Sequence, residues 1–352
     1  AMQRSMASLI CGDTSALQSP SAAVACAAAV AAVGVAACCI PTDVAEAWSP
    51  LLPWNWRWGP LSALAARRGH CAGGARGPAR RAFGILLFYE YTDSRVQDVG
   101  ALAAELEALC TRLHLSGRLR TSQEGINGCL SGTWADCQAF TAAMREVCDG
   151  LFRRTDFKLA PCSEEQQFRG LKVWQSDEVC GLFAGDEHRL EAATDLAEKE
   201  RGQHLSPEEW HSMLSTSAPE EVILFDVRNF YETRIGRFAR RDQAGRDEVD
   251  LVDPKTRLFS ETPAFLCKEE NLARFRSKKV MMYCTGGVRC ERASAYLKQK
   301  LGRDADVFQL EGGIQRYLEA FPDGGLFEGS MHVFDRRGRV GGAEIAAAAG
   351  CP

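Results

Sequence analysis

The apolar run Val280-Met281-Met282-Tyr283 stops at a cysteine. The chain then turns through Cys284-Thr285-Gly286-Gly287-Val288-Arg289 into a stretch of helical spacing. A short buried strand that passes into a helix through a glycine-rich loop belongs in a parallel α/β sheet, where ligands gather beyond the carboxyl ends of the strands. The glycines let successive backbone N–H groups turn inward, forming an anion-binding nest at the helix start. Such donors, with the positive Arg289 nearby, stabilise a thiolate and lower the pKa of Cys284. A single cysteine is more commonly a small buried hydrophobe. Here strand, loop, glycines and arginine agree on a reactive thiol.

The surrounding pattern supports that sheet. Residues 222–227 and 307–310 are further apolar strands, the first ending in Asp226-Val227-Arg228 with Glu232 on a following helix. Helices are expected over residues 290–301 and 314–321. Ser206-Pro207-Glu208-Glu209 has a cap serine, proline at the first helical position and glutamate three residues after the serine, so a helix starts there. Upstream, strands are expected at 84–91, 118–122, 128–131, 157–160 and 171–174, with helices at 99–113 and 136–151. Their β-α-β-β-α-β order suggests a small ferredoxin-like, or acylphosphatase-like, α+β domain. Glu124 to Gly128 reads as a tight turn or as a ligand-facing loop, the turn being favoured.

Residues 1–82 stand apart. They hold seven arginines, no lysine and three acidic residues, a charge of +4 that leaves −8 on residues 83–352. An acidic body argues against wholesale nucleic-acid binding by net charge and requires a local basic patch for any polyanion. Residues 21–40 are an uncharged, Ala-rich run long enough to cross a bilayer, but alanine is a poor membrane residue. With the Arg-rich, acid-poor stretch after it, the segment reads as a targeting extension for a plastid or mitochondrion, or as low-complexity sequence, and no stable membrane partner is expected. Fifteen cysteines include no C-x-x-C pair, so zinc and thioredoxin-like readings fall away and no metal site is expected. The expected organisation is an extension over 1–82, the α+β domain over 83–184, a charged linker over 185–204, the parallel α/β domain over 205–323 and a tail over 324–352.

Only four residues separate Cys284 from Arg289, one fewer than in cysteine-dependent phosphatases. That tighter loop resembles the rhodanese family, whose loop carries a single sulfur on the cysteine. The resemblance extends further. Asp226-Val227-Arg228-Asn229-Phe230-Tyr231-Glu232, Ile235-Gly236-Arg237-Phe238, Cys284 through Glu291, and Leu310-Glu311-Gly312-Gly313-Ile314 occur in that order. With Glu124-Gly125-Ile126-Asn127-Gly128 before them and His332-Val333-Phe334-Asp335-Arg336 after, residues 84–337 resemble the tRNA uridine hydroxylase family.

The resemblance implies a rhodanese-like parallel α/β domain behind the ferredoxin-like one. It also implies hydroxylation of the wobble uridine at C5 with molecular oxygen as co-substrate. Cys284 matches the family's active-site cysteine, and Thr285, Gly286, Gly287, Val288 and Arg289 match the loop that supplies backbone donors. Cys290 is either a resolving thiol or a packed residue at the helix start. Arg228 and Glu232 are expected to form a buried clamp supporting the loop, with Asp226 bonding backbone at the strand end. The implied partner is tRNA, gripped at the anticodon region. Candidate contacts are residues 124–127, Arg118 and Arg120, and Arg289 and Arg292, with a stacked wobble base. No flavin, haem or iron-ligand motif is evident, and the electron donor is left unidentified, as is the oligomeric state. A thiolate adduct at uracil C6 and a persulfide or sulfenate relay are both open chemistries. The alternative functions are a sulfurtransferase carrying a persulfide on Cys284 and a non-catalytic rhodanese module. Three departures from the family are the charged insertion 240–248, expected to alter substrate access, a Gly-Ala-rich end where bacterial relatives continue with cysteines, and the extension over 1–82, unlike the compact bacterial proteins.

Overall fold

Hydrophobic alternation and apolar runs divide the chain into two sheets. The computed structural model describes residues 82–183 and 201–349, which belong to one compact unit. The proposed extension and nearly all of the charged linker lie outside the described residues.

The first sheet is built from β1 (Phe83–Tyr91), α1 (Val99–Arg112), β2 (Ser116–Ser122), β3 (Gly125–Thr133), α2 (Trp134–Met144), β4 (Lys158–Cys162) and β5 (Leu171–Gln175). Its strand order is β4-β1-β3-β2-β5. The first four strands are antiparallel neighbours, as the ferredoxin-like pattern requires, and β5 adds in parallel beside β2. α1 starts where Asp98 accepts a hydrogen bond from Ala101 N–H, and it buries Leu102, Leu106, Leu109 and Cys110 against the sheet. The second helix ends at Met144, earlier than the periodicity predicts: Arg145 and Glu146 N–H already bond three residues back, and Cys148 and Asp149 then take left-handed backbone angles.

The second sheet has the order β6-β11-β10-β7-β9 and every neighbouring pair is parallel. Its elements are β6 (Gln203–Leu205), α3 (Pro207–Thr216), β7 (Val222–Asp226), α4 (Phe230–Ile235), β8 (Gly236–Phe238), β9 (Asp250–Val252), α5 (Thr262–Leu266), α6 (Glu269–Leu272), β10 (Lys279–Tyr283), α7 (Val288–Leu301), β11 (Val307–Leu310) and α8 (Gly313–Ala320). All of β7 and nearly all of β10 are buried, which is why they read as continuous apolar runs. The capping box at Ser206 and Glu209 forms as the sequence predicts. The sheet takes in Gln203 and His204, which the expected organisation placed in the linker, because β6 pairs with the exposed edge of β11.

The residues expected as a tail are part of this fold. β12 (Phe327–Gly329) pairs with β8, β13 (Met331–His332) pairs with β14 (Arg339–Val340), and α9 (Gly342–Ala349) follows. Phe327, Met331, Val333, Val340 and Ile345 join one core cluster with Trp210, Phe238, Tyr283 and Tyr317. Among the described residues no helix is long and apolar enough to cross a membrane.

Phe238 is fully buried at the centre of that cluster, its ring 4.7–5.4 Å from those of Trp210, Tyr283, Tyr317 and Phe327. Phe238→Ala is therefore expected to cost about 3–5 kcal/mol in urea unfolding. A loss below about 1 kcal/mol would contradict this packing.

Candidate active site

β10 delivers Cys284 to the carboxyl edge of the parallel sheet, and the loop that follows is held from two sides. α8 begins beneath it, with Ile314 N–H donating to Cys284 C=O (3.0 Å) and Gln315 N–H to Thr285 C=O (3.1 Å). The approach is so close that a Cβ on Gly313, whose φ is +69°, would lie 2.7 Å from three backbone atoms of the loop. From above, Gly287 (φ +102°) sits against the hydroxyl of Tyr89 on β1, where a Cβ would be 2.6 Å away. Both glycines are positions no other residue fills without moving backbone or ring.

Inside this frame the Gly287 N–H points at Cys284 Sγ (3.1 Å). Cys284 is only 1% exposed, and burial alone would push its thiol up. The hydrogen bond from the Cys290 thiol, the charge of Arg289 and the backbone N–H groups of Arg289 and Gly287 outweigh burial and bring Cys284 down to about 6. At neutral pH the sulfur is a thiolate, and so a nucleophile. Cys290 shows the complement: burial and the neighbouring Cys284 sulfur hold it well above the ordinary thiol range. Cys284, Thr285, Gly286, Val288 and Arg289 line the adjoining cavity, whereas Cys290 is fully buried and does not.

Asp226 accepts from the Arg228 backbone N–H (3.1 Å), as expected at the strand end, but the charged clamp pairs differently from expectation. Arg228 makes its ion pair with Asp226 (2.6 Å), and Glu232 accepts a two-pronged bond from Arg289 (2.7 and 2.9 Å) as well as one from Thr285 Oγ1 (3.2 Å). The reason is reach: Asp226 and Arg228 lie on one turn at the end of β7, while Glu232 on α4 faces the first turn of α7. Burial would raise the Glu232 carboxyl, but Arg289 holds it below its ordinary range. Arg289 and Arg292 are consequently not free for phosphates. Arg292 is buried against Glu124 and lies 3.8 Å from Glu178. A buried guanidinium needs such partners.

Glu124 thus serves as a brace rather than a ligand contact: one oxygen takes Arg292, and the other accepts from Val179 N–H (2.5 Å). Residues 123 and 124 form a tight hairpin turn, and Gly125 to Asn127 belong to β3. Glu291, next to Cys290, binds Tyr89 (3.2 Å) and His204 (2.8 Å). The sequence reading missed Tyr89, His204 and Glu291 as a network, since no motif joins residues on three elements.

Both sheets contribute to the cavity beside Cys284, which measures about 920 Å³. Arg118, Arg120 and Asn127, named above as candidate tRNA contacts, line it, and so do Phe168, Trp174, Cys180 and Phe334. The Arg120 guanidinium lies 5.5 Å from the Trp174 ring centre and that of Arg118 5.8 Å from Phe168. Trp174 read only as a strand end in the sequence. Phe334 belongs to the motif at residues 332–336, in which the sequence points to no role for it. None of residues 240–248 lines the cavity; Arg240 and Arg241 instead pair with Glu248 and Glu328 on another face. Among the described residues, no group of three or more His, Cys, Asp or Glu is placed to hold a metal ion.

Residues 83–179 match the family model described as UPF0176 acylphosphatase like domain. Over 274 residues the chain is 38% identical to rhodanese-like domain-containing protein 6 of Arabidopsis thaliana, covering 74% of this chain and 44% of that protein. The chain therefore spans less than half of that relative's length. It is 37% identical over 255 residues to a tRNA uridine(34) hydroxylase of Enterococcus faecalis, covering 72% of this chain and 71% of the relative. A protein of the same description from Roseobacter denitrificans is 36% identical over 263 residues, with coverage of 74% and 78%.

Alkylation of Cys284 by iodoacetamide, followed by peptide mass spectrometry, is expected to rise with pH through a midpoint of about 6. Cys290→Ala removes a donor to the thiolate and should move the midpoint upward. A midpoint in the ordinary thiol range, or one unmoved by Cys290→Ala, would contradict the geometry.

Proposed function

Because the chain belongs to the tRNA uridine(34) hydroxylase family, we propose that it hydroxylates the wobble uridine of tRNA at C5 through the Cys284 thiolate. The observation that carries this reading is a low-pKa sulfur opening onto a cavity of about 920 Å³ with aromatic and cationic walls. That volume suits an unstacked nucleotide, since small-ligand sites span about 300–1,000 Å³.

A thiolate can add to C6 of uracil, forming an S–C6 bond and leaving an electron pair at C5 as an enolate. The enolate takes up dioxygen and a proton to give a C5 hydroperoxide. Two electrons and two protons from an external reductant cleave the O–O bond, yielding the C5 hydroxyl and water. Loss of the C5 proton then expels Sγ and restores the unsaturated ring. The Gly287 N–H, the Arg289 charge and the Cys290 thiol favour the sulfur as an anion, which helps both its attack and its departure. Arg118 and Arg120 are the side chains we assign to the phosphates of the anticodon loop.

Aerobic incubation with unmodified tRNA and a two-electron reductant such as dithiothreitol should add one oxygen to uridine 34 by nucleoside mass spectrometry. The product should be absent with Cys284→Ser and absent without air. If no such product forms while thiosulfate loads cyanide-releasable sulfur onto Cys284, the protein is a sulfurtransferase instead.

We also read residues 1–82 as an organelle-targeting segment, on their seven arginines, three acidic residues and lack of lysine. Fused ahead of a fluorescent protein, they should direct it to a plastid or mitochondrion; diffuse cytosolic signal would reject this reading.

A further inference from the structure

Among the described residues the large apolar side chains left exposed are Leu258, at 61%, and Phe334, at 58%. Both line the one cavity that also contains Cys284. Isolated exposed apolar residues need no explanation, but these two share a single opening, which marks a place for an apolar surface. The Arg289 guanidinium lies 5.4 Å from the centre of the Phe334 ring and His332 meets the ring edge-on at 5.0 Å. Arg289 is fixed by Glu232, so one face of Phe334 has rigid backing while the ring remains more than half exposed. A ring presented in that way is a stacking platform for a flat π-system.

Deeper in the same cavity is Gln315, the third residue of α8. It is 5% exposed and lines the cavity, and its side-chain amide makes no hydrogen bond within the described residues. The amide atoms are not sealed from solvent and so face the cavity, where a ligand can take the place of water. Its backbone N–H is anchored to Thr285 C=O, the residue after the nucleophile. The amide is therefore held close to the loop that carries the sulfur. One N–H donor and one carbonyl acceptor side by side match the edge of a pyrimidine that presents a carbonyl next to a ring N–H.

We propose that Phe334, Leu258 and Gln315 form a nucleobase pocket, in which the target uracil stacks on Phe334, is flanked by Leu258, and is held at its Watson–Crick edge by the Gln315 amide. This rests on the reading of the protein as a uridine hydroxylase and adds to it the residues that hold the base. Stacking sets the ring plane, and the amide sets its rotation within that plane. Together they decide which ring carbon meets Cys284 Sγ. Phe334 is the larger contributor to affinity, because base–aromatic stacking is sequence-tolerant and strong. Gln315 should act more on turnover, since a base rotated in its plane still binds but misses the sulfur.

The test is equilibrium binding of an anticodon stem-loop RNA carrying either uridine or an abasic site at position 34, with the wild-type chain and with Phe334→Ala, Phe334→Trp and Gln315→Leu. Wild type should prefer the uridine RNA by about tenfold to a hundredfold. Phe334→Ala should bind both RNAs alike, at the abasic affinity, whereas Phe334→Trp should restore the preference. Gln315→Leu should lower kcat for hydroxylation by at least about tenfold with a smaller change in KM. The pH midpoint of Cys284 alkylation should be the same in all variants, a readout that structural damage would move. A wild-type preference that survives Phe334→Ala, or a Gln315→Leu enzyme with unchanged kcat, overturns the pocket and leaves the hydroxylase reading standing. A wild-type chain that binds neither RNA, or forms no hydroxylated product, overturns both.

Discussion

A sulfur anion that is 99% removed from solvent must be solvated by the protein, and that requirement organises the second half of this chain. Water would otherwise stabilise the charge, and burial by itself favours the neutral thiol. The structure replaces water with the Gly287 N–H, the Arg289 charge and the Cys290 thiol. Each of these is itself constrained. Gly287 reaches the sulfur with a positive φ, and Arg289 is held in place by Glu232, which takes both prongs of its guanidinium, and by Thr285 Oγ1. The loop carbonyls that face the other way are satisfied by the first amides of α8. Removing any one of these leaves a buried polar group unpaired, so the loop behaves as a unit.

The same first turn of α7 also ties the two sheets together. Arg289 looks back to α4, Glu291 to Tyr89 on β1 and His204 on β6, and Arg292 to Glu124 at the β2–β3 turn. Helix positions so close together point in different directions, and here each direction meets a different element. The nucleophile is thus positioned by the first sheet as well as by its own. This explains why the cavity has walls from both. A rhodanese-like loop alone would present a thiolate; the added α+β domain encloses the space in front of it with Phe168, Trp174, Arg118 and Arg120.

What was legible in the sequence was what repeats locally. Apolar runs gave β7, β10 and β11, and the Ser206 box gave the start of α3. The glycine-rich turn after a buried strand gave the thiolate. What was not legible was the choice of partner for each buried charge. Arg228, Glu232, Arg289 and Asp226 are all plausible clamp members from their motifs, and only the relative placement of β7, α4 and α7 decides who pairs with whom. Glu124 is the same case: its motif read as a turn, or as a ligand contact, but not as a brace, since its partner lies 168 residues away. Residues after 323 looked like a tail because their composition is rich in glycine and alanine. Their few apolar positions, among them Phe327, Met331 and Ile345, complete a core that the earlier strands leave open.

Addition of the Cys284 sulfur to the pyrimidine ring is the step on which the proposed hydroxylation turns. The most direct measurement is intact-protein mass spectrometry after aerobic incubation with an anticodon stem-loop carrying 5-fluorouridine at the wobble position. Fluorine occupies the site from which a proton must leave, so the ring cannot be released in the ordinary way. A covalent protein–RNA adduct whose crosslinked peptide contains Cys284 is expected. Unmodified protein, under conditions in which the same enzyme hydroxylates ordinary uridine, would contradict it.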